Sequence, residues 1–263
     1  MKISAVIITK NEERNIERCL KSLQNIVDEI VVVDSFSTDA TKEICEQYHV
    51  KFIKHDFEGH IEQKNYAMQQ ASFSFVLSLD ADEALSDALR FSIQKIKENY
   101  NDSSEYFLAD AYKFNRLNNY CGKWIRHGAW YPDTKIRLWN KNKGSWGGKN
   151  PHDRVVMLDN TKIVHLKGDL LHYSYYSINE HIQQMDKFST ISAEQAKKNG
   201  EKISMPLILI KTKWKFIRDY FFKGGFLDGF YGYVICKINA MTTFLKYVKL
   251  RQLHKENIQP NQK

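Results

Sequence analysis

MKISAVIITKNEERNIERCLKSLQNIVDEIVVVD, residues 1–34, holds two strand signals with a helix between them. Residues 4–8 are a continuous apolar run, the pattern of a parallel strand buried on both sides. Ile16, Leu20 and Leu23 then recur at helical spacing, with Asn11 the expected N-cap. Residues 29–33 repeat the strand signal and end at Asp34. The alternation continues outward from there. DSFSTD (34–39) reads as a loop, TKEICEQY (41–48) as a helix capped by Asp39, and 50–53 as a third strand. A helix over 61–71 and a fourth strand over 73–79 follow, the strand running into Asp80-Ala81-Asp82-Glu83. Leu85, Leu89, Ile93 and Ile96 form the inner face of the next helix. Strand and helix in turn, with short connections, predict an α/β fold: a Rossmann-like, mostly parallel sheet flanked by helices.

The whole chain is compatible with that reading. Its 263 residues and 30.9 kDa suit one large domain or one domain with an elaborated tail. Hydrophobic residues at 43% and charged ones at 27% exclude a disordered chain or a coiled-coil rod. Lys and Arg outnumber Asp and Glu by 39 to 31, a net charge of +8, which favours an anionic partner: a phosphate-bearing substrate, acidic lipid or nucleic acid. Cys19, Cys45, Cys121 and Cys236 lie far apart without zinc-site spacing and are expected to be reduced, buried and cytosolic. The first apolar run is too short for a secretory leader, and no run reaches the roughly 18 residues of a spanning helix.

After about residue 104 the alternation stops. YFLADAYKFNR (106–116) and KIRLWNK (135–141) read as antiparallel strands, and KGSWGGKNPHD (143–153) as a Gly-rich loop. Ile178, Ile182, Met185 and Phe188 mark a helix ending near Gly200. From Pro206 two amphipathic helices are expected, carrying Leu207, Ile210, Trp214, Ile217 and Phe221, then Leu227, Phe230, Val234, Ile238, Met241, Leu245 and Val248, separated at Gly224-Gly225. The expected organisation is 1–103 as one half of an α/β domain, 104–200 as its second half, and 201–263 as amphipathic helices with a polar tail.

In an open α/β sheet, ligands bind beyond the carboxyl ends of the strands. Thr9, Asn11 and Glu12 follow the first strand, Asp34, Ser35 and Ser37 the second, and Asp80 and Asp82 the fourth. Acidic clusters at one sheet edge repel unless a cation or hydrogen-bond donors compensate them. Neither GxGxxG nor a P-loop is present, so phosphate must be held by metal, Lys or Arg. Two carboxylates at i and i+2 on extended backbone point the same way, and their hard oxygens suit Mg²⁺ or Mn²⁺ carrying a diphosphate. The bland alternative is an acidic helix N-terminus favoured by the helix dipole.

IITKNEERNIERCLKSL (7–23), VVVDSFSTDAT (31–41), QKNYA (63–67) and LSLDADE (77–83) together resemble the nucleotide-sugar-binding half of family 2 glycosyltransferases with the GT-A fold. PHDRV, GDLLHYSYYSINEHI and GGFLDGFYGY…FLKYVKL are similar to the lipopolysaccharide-core β-glucosyltransferase branch of that family. The resemblance implies inverting transfer from a sugar nucleotide, commonly a UDP-sugar, with a divalent metal, Mg²⁺ or Mn²⁺. Carried over by position, it implies Thr9, Glu12 and Asp34 in the nucleotide pocket, with Asp34 accepting from the base. Lys64 would reach the pyrophosphate or ribose, Asp80 would sit near ribose and metal, and Asp82 would ligate the metal. An inverting displacement also needs a base for the acceptor hydroxyl. Asp153 is the choice, with His152 orienting it or the acceptor and Glu83 next in line. His-Asp departs from the His-Glu or Glu-Asp pair of the family, and the alternative is an Asp153–Arg154 pair in a surface loop. His172 is a candidate to complete the metal sphere or touch the diphosphate, against the commoner role of a packed, hydrogen-bonded His. Trp146, beside Gly147-Gly148, is the candidate to stack on a sugar from a mobile loop.

The function expected is therefore metal-dependent transfer of a sugar to a glycolipid or lipopolysaccharide-core acceptor. It is cytoplasmic, peripheral on the inner face of the membrane, and takes no nucleic acid. Lys211, Lys215 and Arg218 beside the apolar stripe of residues 207–221 point to an anionic membrane surface. The rivals are a sugar-1-phosphate nucleotidyltransferase, whose Gly-rich basic loop TKNEERN does not provide, and a non-catalytic module binding RNA or acidic lipid.

Overall fold

The computed structural model describes residues 1–100, 108–149 and 152–256. The first unit comprises residues 1–117 and 133–173. Its parallel core is β1 (Ile3–Thr9), β2 (Glu29–Asp34), β3 (Lys51–Lys54) and β4 (Phe75–Asp80), in the spatial order β3-β2-β1-β4. Register places Thr9 beside Asp34 and Ile8 beside Asp80, so the polar residues after three strands share one edge. Helices α1 (Ile16–Leu23), α2 (Thr41–Glu46), α3 (His60–Gln69) and α4 (Asp87–Glu98) connect or follow these strands. Ile3, Ile7, Leu20, Leu23, Leu77, Leu89 and Ile93 close the core on one face, while Val6, Val31, Val33, Ala67 and Val76 pack the other.

Beyond β4 the sheet turns antiparallel. The short β5 (Glu83–Leu85), β6 (Ala111–Tyr120), β8 (Asp133–Asn140) and β11 (Ile163–Tyr175) extend it in the order β4-β8-β6-β11-β5. Gly168 on β11 has φ +107, and a Cβ there would meet the Leu89 backbone nitrogen at 2.3 Å. Only glycine lets β11 lie against the first turn of α4.

Three expectations are corrected. Asn11 does not cap α1: it sits at φ 54, and its Oδ1 accepts from the Thr38 N–H at 2.8 Å, tying two loops together. Asp39 precedes the Ala40 N-cap of α2, yet its Oδ1 takes the Thr41 N–H at 3.1 Å. The Gly-rich segment is a hairpin, β9 (Gly144–Lys149) against β10 (His152–Met157), because small residues at 144 and 147 admit the Met157 and Val156 side chains opposite. Residues 133–173 group with the first unit and 174–200 with the second.

The second unit comprises residues 118–132 and 174–263. The end of β6 pairs with β7 (Lys123–Ile125), and three helices follow, α5 (Ile178–Lys198), α6 (Met205–Ile217) and α7 (Gly229–Glu256). Tyr120, Ile125 and Ile235 pack with Trp130, Tyr175 and Tyr231, and Ala193, Ala196 and Leu250 form a second cluster. Chain reversal between α6 and α7 uses Gly224 at φ 69, as the Gly-Gly pair predicts. Cys19, Cys45 and Cys236 are buried and free; Cys121 is free but only half-buried, in the turn before β7. Among the described residues no helix is long and apolar enough to cross a membrane.

Candidate active site

The carboxyl edge of β1, β2 and β4 carries a buried network centred on Lys64. This lysine lies on the inner side of α3 and is only 4% exposed. Its Nζ is 2.9 Å from Asp80 Oδ1 and 2.7 Å from Asp153 Oδ2. Arg137, buried on β8, reaches Asp80 Oδ2 at 3.2 Å and Glu83 Oε1 at 2.8 Å. Glu83 also accepts the Asp80 N–H at 3.0 Å. Burial works to raise the Asp80 pKa, but Lys64 and Arg137 overrule it and hold the carboxyl well below the usual carboxylate range. The same carboxylates overrule the effect of burial on Arg137 and hold its pKa above the ordinary value.

Trp146 covers this network instead of waving on a loop. It is buried in β9, with Lys64 Nζ 4.3 Å and the Arg137 guanidinium 5.2 Å from its ring centre. The Asn65 amide fixes its backbone, donating to Trp146 O at 2.9 Å and accepting from Trp146 N at 3.0 Å. Two cations beneath the indole and an amide clamp on its backbone explain why the expected mobile residue is fixed. Asp153 lies on β10 and pairs with Lys64, not Arg154. Glu83, the second candidate base, is fully buried and engaged by Arg137. It is unsuited to take a proton from a substrate.

Asp80 and Asp82 do not point together as extended backbone predicts, because the chain turns at 81–82. Asp80 faces Lys64 and Arg137; Asp82 Oδ2 lies 3.1 Å from His172 Nε2 on β11. Asp82 O accepts the Tyr173 N–H at 3.0 Å, which fastens the turn to β11. His172 is thus the hydrogen-bonded residue of its commoner reading, and also an imidazole beside the carboxylate expected to hold metal. Among the described residues no group of three or more His, Cys, Asp and Glu is arranged for a metal ion. Asp82 Oδ2 and His172 Nε2 are the two groups at this turn that could contribute to a divalent cation whose remaining ligands came from phosphate and water.

The residues expected to face a nucleotide end or follow β1 and β2 at the same sheet edge. Thr9 Oγ1 is buried without a hydrogen-bond partner, as are Arg137 Nε and Nη1 and Trp146 Nε1. Asp34 is buried and accepts from the Ser37 N–H at 2.9 Å and from the Ser37 hydroxyl, so its carboxylate shapes the following turn. Ser35 Oγ accepts from Gln63 at 3.0 Å. Burial pushes the Glu12 carboxyl up, the Asn15 amide holds it down, and the charges of Asp82, Asp39 and Asp80 add to the rise. The His152 side chain lies outside the described residues. Arg137 and Asn65 are the members sequence reasoning missed. The signal for Arg137 was a lone Arg inside the apolar strand run IRLW.

Residues 4–155 match the model of glycosyl transferase family 2. The chain belongs to that family. Membership sets aside the nucleotidyltransferase and the non-catalytic module, and the family's GT-A fold is the α/β architecture described above. This family 2 glycosyltransferase is 35% identical to an uncharacterized glycosyltransferase of Rickettsia typhi, over 96% of this chain and 87% of the relative. It is 28% identical to the lipopolysaccharide core biosynthesis glycosyltransferase LpsC of Rhizobium meliloti, over 98% and 95% of the two chains. The crystal structure of S. aureus TarS 1-349 in complex with UDP-GlcNAc aligns over 96% of this chain and 92% of that one, with a TM-score of 0.48 and 17% identity.

Proposed function

We propose that this glycosyltransferase moves a sugar from a UDP-sugar to a lipopolysaccharide-core or similar glycolipid acceptor, with inversion at the anomeric carbon. The observation that carries the reading is Lys64 between Asp80 and Asp153, beside the Asp82–His172 pair. One lysine links the donor-side carboxylate to the carboxylate proposed as base. The acceptor class is supported by the likeness to LpsC along nearly its whole length.

In the proposed reaction the acceptor oxygen attacks C1 of the sugar, the bond from C1 to the diphosphate oxygen breaks, and the hydroxyl proton passes to Asp153 Oδ2. Asp153 Oδ2 is occupied by the Lys64 ammonium and must be released before it can take that proton. Lys64 therefore turns toward the arriving diphosphate, stabilising the leaving group and freeing Asp153 together. Asp82 and His172 would hold the divalent cation, which supplies charge neutralisation for the departing diphosphate. Thr9, Glu12 and Asp34 line the nucleotide side, and His152 orients the acceptor. Trp146 walls the cations off from water, so each charge acts in a poorly screened site. A glycolipid acceptor places the enzyme on the inner face of the cytoplasmic membrane.

The test is nucleotide release from UDP-, GDP- and CMP-sugars, with and without Mn²⁺, in the presence of lipopolysaccharide-core acceptor. Metal-dependent release from one UDP-sugar is expected. Release from a GDP- or CMP-sugar alone, or turnover unaffected by EDTA, would overturn the donor and metal assignments respectively.

A further inference from the structure

The longest run of exposed large apolar side chains lies in the second unit, on α6 and the reversal after it. Leu207, Ile210, Trp214 and Ile217 repeat at spacings of three and four, so they share one face of α6. That face is exposed, Ile210 to 62%, whereas Ile208 on another face is buried. The helix is apolar on the side that a soluble surface helix keeps polar. The exposed apolar series continues through the reversal, with Phe222 at 73% and Phe230 at 68%. An apolar groove of about 400 Å³ opens between α6 and α7, lined by Phe216, Ile217, Met241 and Phe244 among others.

Charge decides what covers this surface. On the helical wheel Lys213 flanks the stripe on one side and Lys211 and Lys215 on the other. Residues 205–241 hold six cations, Lys211, Lys213, Lys215, Arg218, Lys223 and Lys237, against two carboxylates, Asp219 and Asp228. Both carboxylates are buried. Asp219 is held by Lys215 at 2.8 Å and Arg218 at 2.9 Å, and Asp228 accepts the His127 N–H at 2.8 Å. The surface is thus apolar, aromatic and cationic, with no exposed carboxylate in that span. A second copy would bring the same cations face to face, whereas a layer of anionic headgroups over hydrocarbon satisfies both characters.

We infer that the face from Leu207 through Phe222 and Phe230 docks the enzyme on an anionic lipid bilayer, with these side chains at the headgroup boundary and Lys211 and Lys213 beside lipid phosphates. This deepens the proposed function by naming the surface that meets a glycolipid's membrane. Its test needs no donor or acceptor, so the two readings fail separately.

The experiment is co-sedimentation of the full chain with vesicles of phosphatidylcholine alone or with 30 mol% phosphatidylglycerol, at about 0.1 M and 0.5 M salt. Binding should require phosphatidylglycerol and weaken with salt. Each cation near such a surface is worth roughly a fivefold change in affinity, so Lys211→Glu with Lys213→Glu should weaken binding by about thirtyfold or more. Phe222→Ser with Phe230→Ser, at exposed positions where the fold is not strained, should release the protein while its circular dichroism and melting temperature hold. Failure of the wild type to pellet with either vesicle, or equal pelleting of the charge-reversed variant, overturns the inference. So does a wild-type dimer in light scattering that the Phe→Ser pair converts to monomer, which assigns the face to a second copy.

Discussion

Lys64 Nζ lies closer to Asp153 Oδ2, at 2.7 Å, than to Asp80 Oδ1, at 2.9 Å. Asp80 and the proposed base therefore share a single cation. Asp153→Asn keeps the shape and a hydrogen-bond acceptor for Lys64 but removes basicity. Turnover should fall on the order of a hundredfold or more, while UDP affinity measured by calorimetry stays within about twofold. A variant retaining most of its turnover would place the base elsewhere.

A second expectation concerns Arg137. Arg137→Met leaves Glu83 buried with the Arg116 Nη1, 3.6 Å away, as its nearest cation. Breaking a buried pair from one side costs about 3 kcal/mol or more, whereas removing both charges costs far less. The single variant should lower the urea midpoint strongly, and adding Glu83→Gln should recover part of the loss. Loss of under about 1 kcal/mol in the single variant would mean that water already compensates Glu83.

The metal assignment is checked at Asp82 and His172. With UDP present, Asp82→Ala and His172→Ala should each weaken Mn²⁺ binding at least about tenfold, equivalent to 1.4 kcal/mol. Calorimetry of Mn²⁺ against the UDP-loaded protein reads this directly. Wild-type affinity in both variants would leave the pair as a structural hydrogen bond.

The parallel core was legible because burial on both faces writes itself as unbroken apolar runs such as AVII and VVV, and helical spacing stands out between them. Asp82 was singled out by its carboxylate pair at a strand end, and Lys64 by the family resemblance of QKNYA. What stayed hidden were long-range partners. Nothing near Asp153 in sequence names Lys64, 89 residues away, and nothing near Trp146 names Asn65, 81 residues away. The Gly-rich segment misled for a related reason: glycine reads as loop, yet here it makes room for a facing strand.

The last prediction uses a buried imidazole outside the site. His181 on α5 is 4% exposed, its Nδ1 lies 3.1 Å from the Tyr120 hydroxyl, and burial lowers its pKa to about 4. An unfolded histidine titrates near 6.5, so between about pH 6.5 and 4 the unfolded chain binds the extra proton and the folded chain does not. Stability from the neutral ring is complete above about 6.5 and falls as pH drops toward 4, by up to about 3 kcal/mol. His181→Phe cannot titrate, and it leaves the Tyr120 hydroxyl without its partner at every pH, at about 1 kcal/mol. The variant should therefore start below wild type at pH 7.5 and lose less as the pH falls, the two urea-denaturation curves crossing near about pH 6. Parallel curves from pH 7.5 to 4.5 would show that the His181 ring does not titrate differently in the folded and unfolded chain.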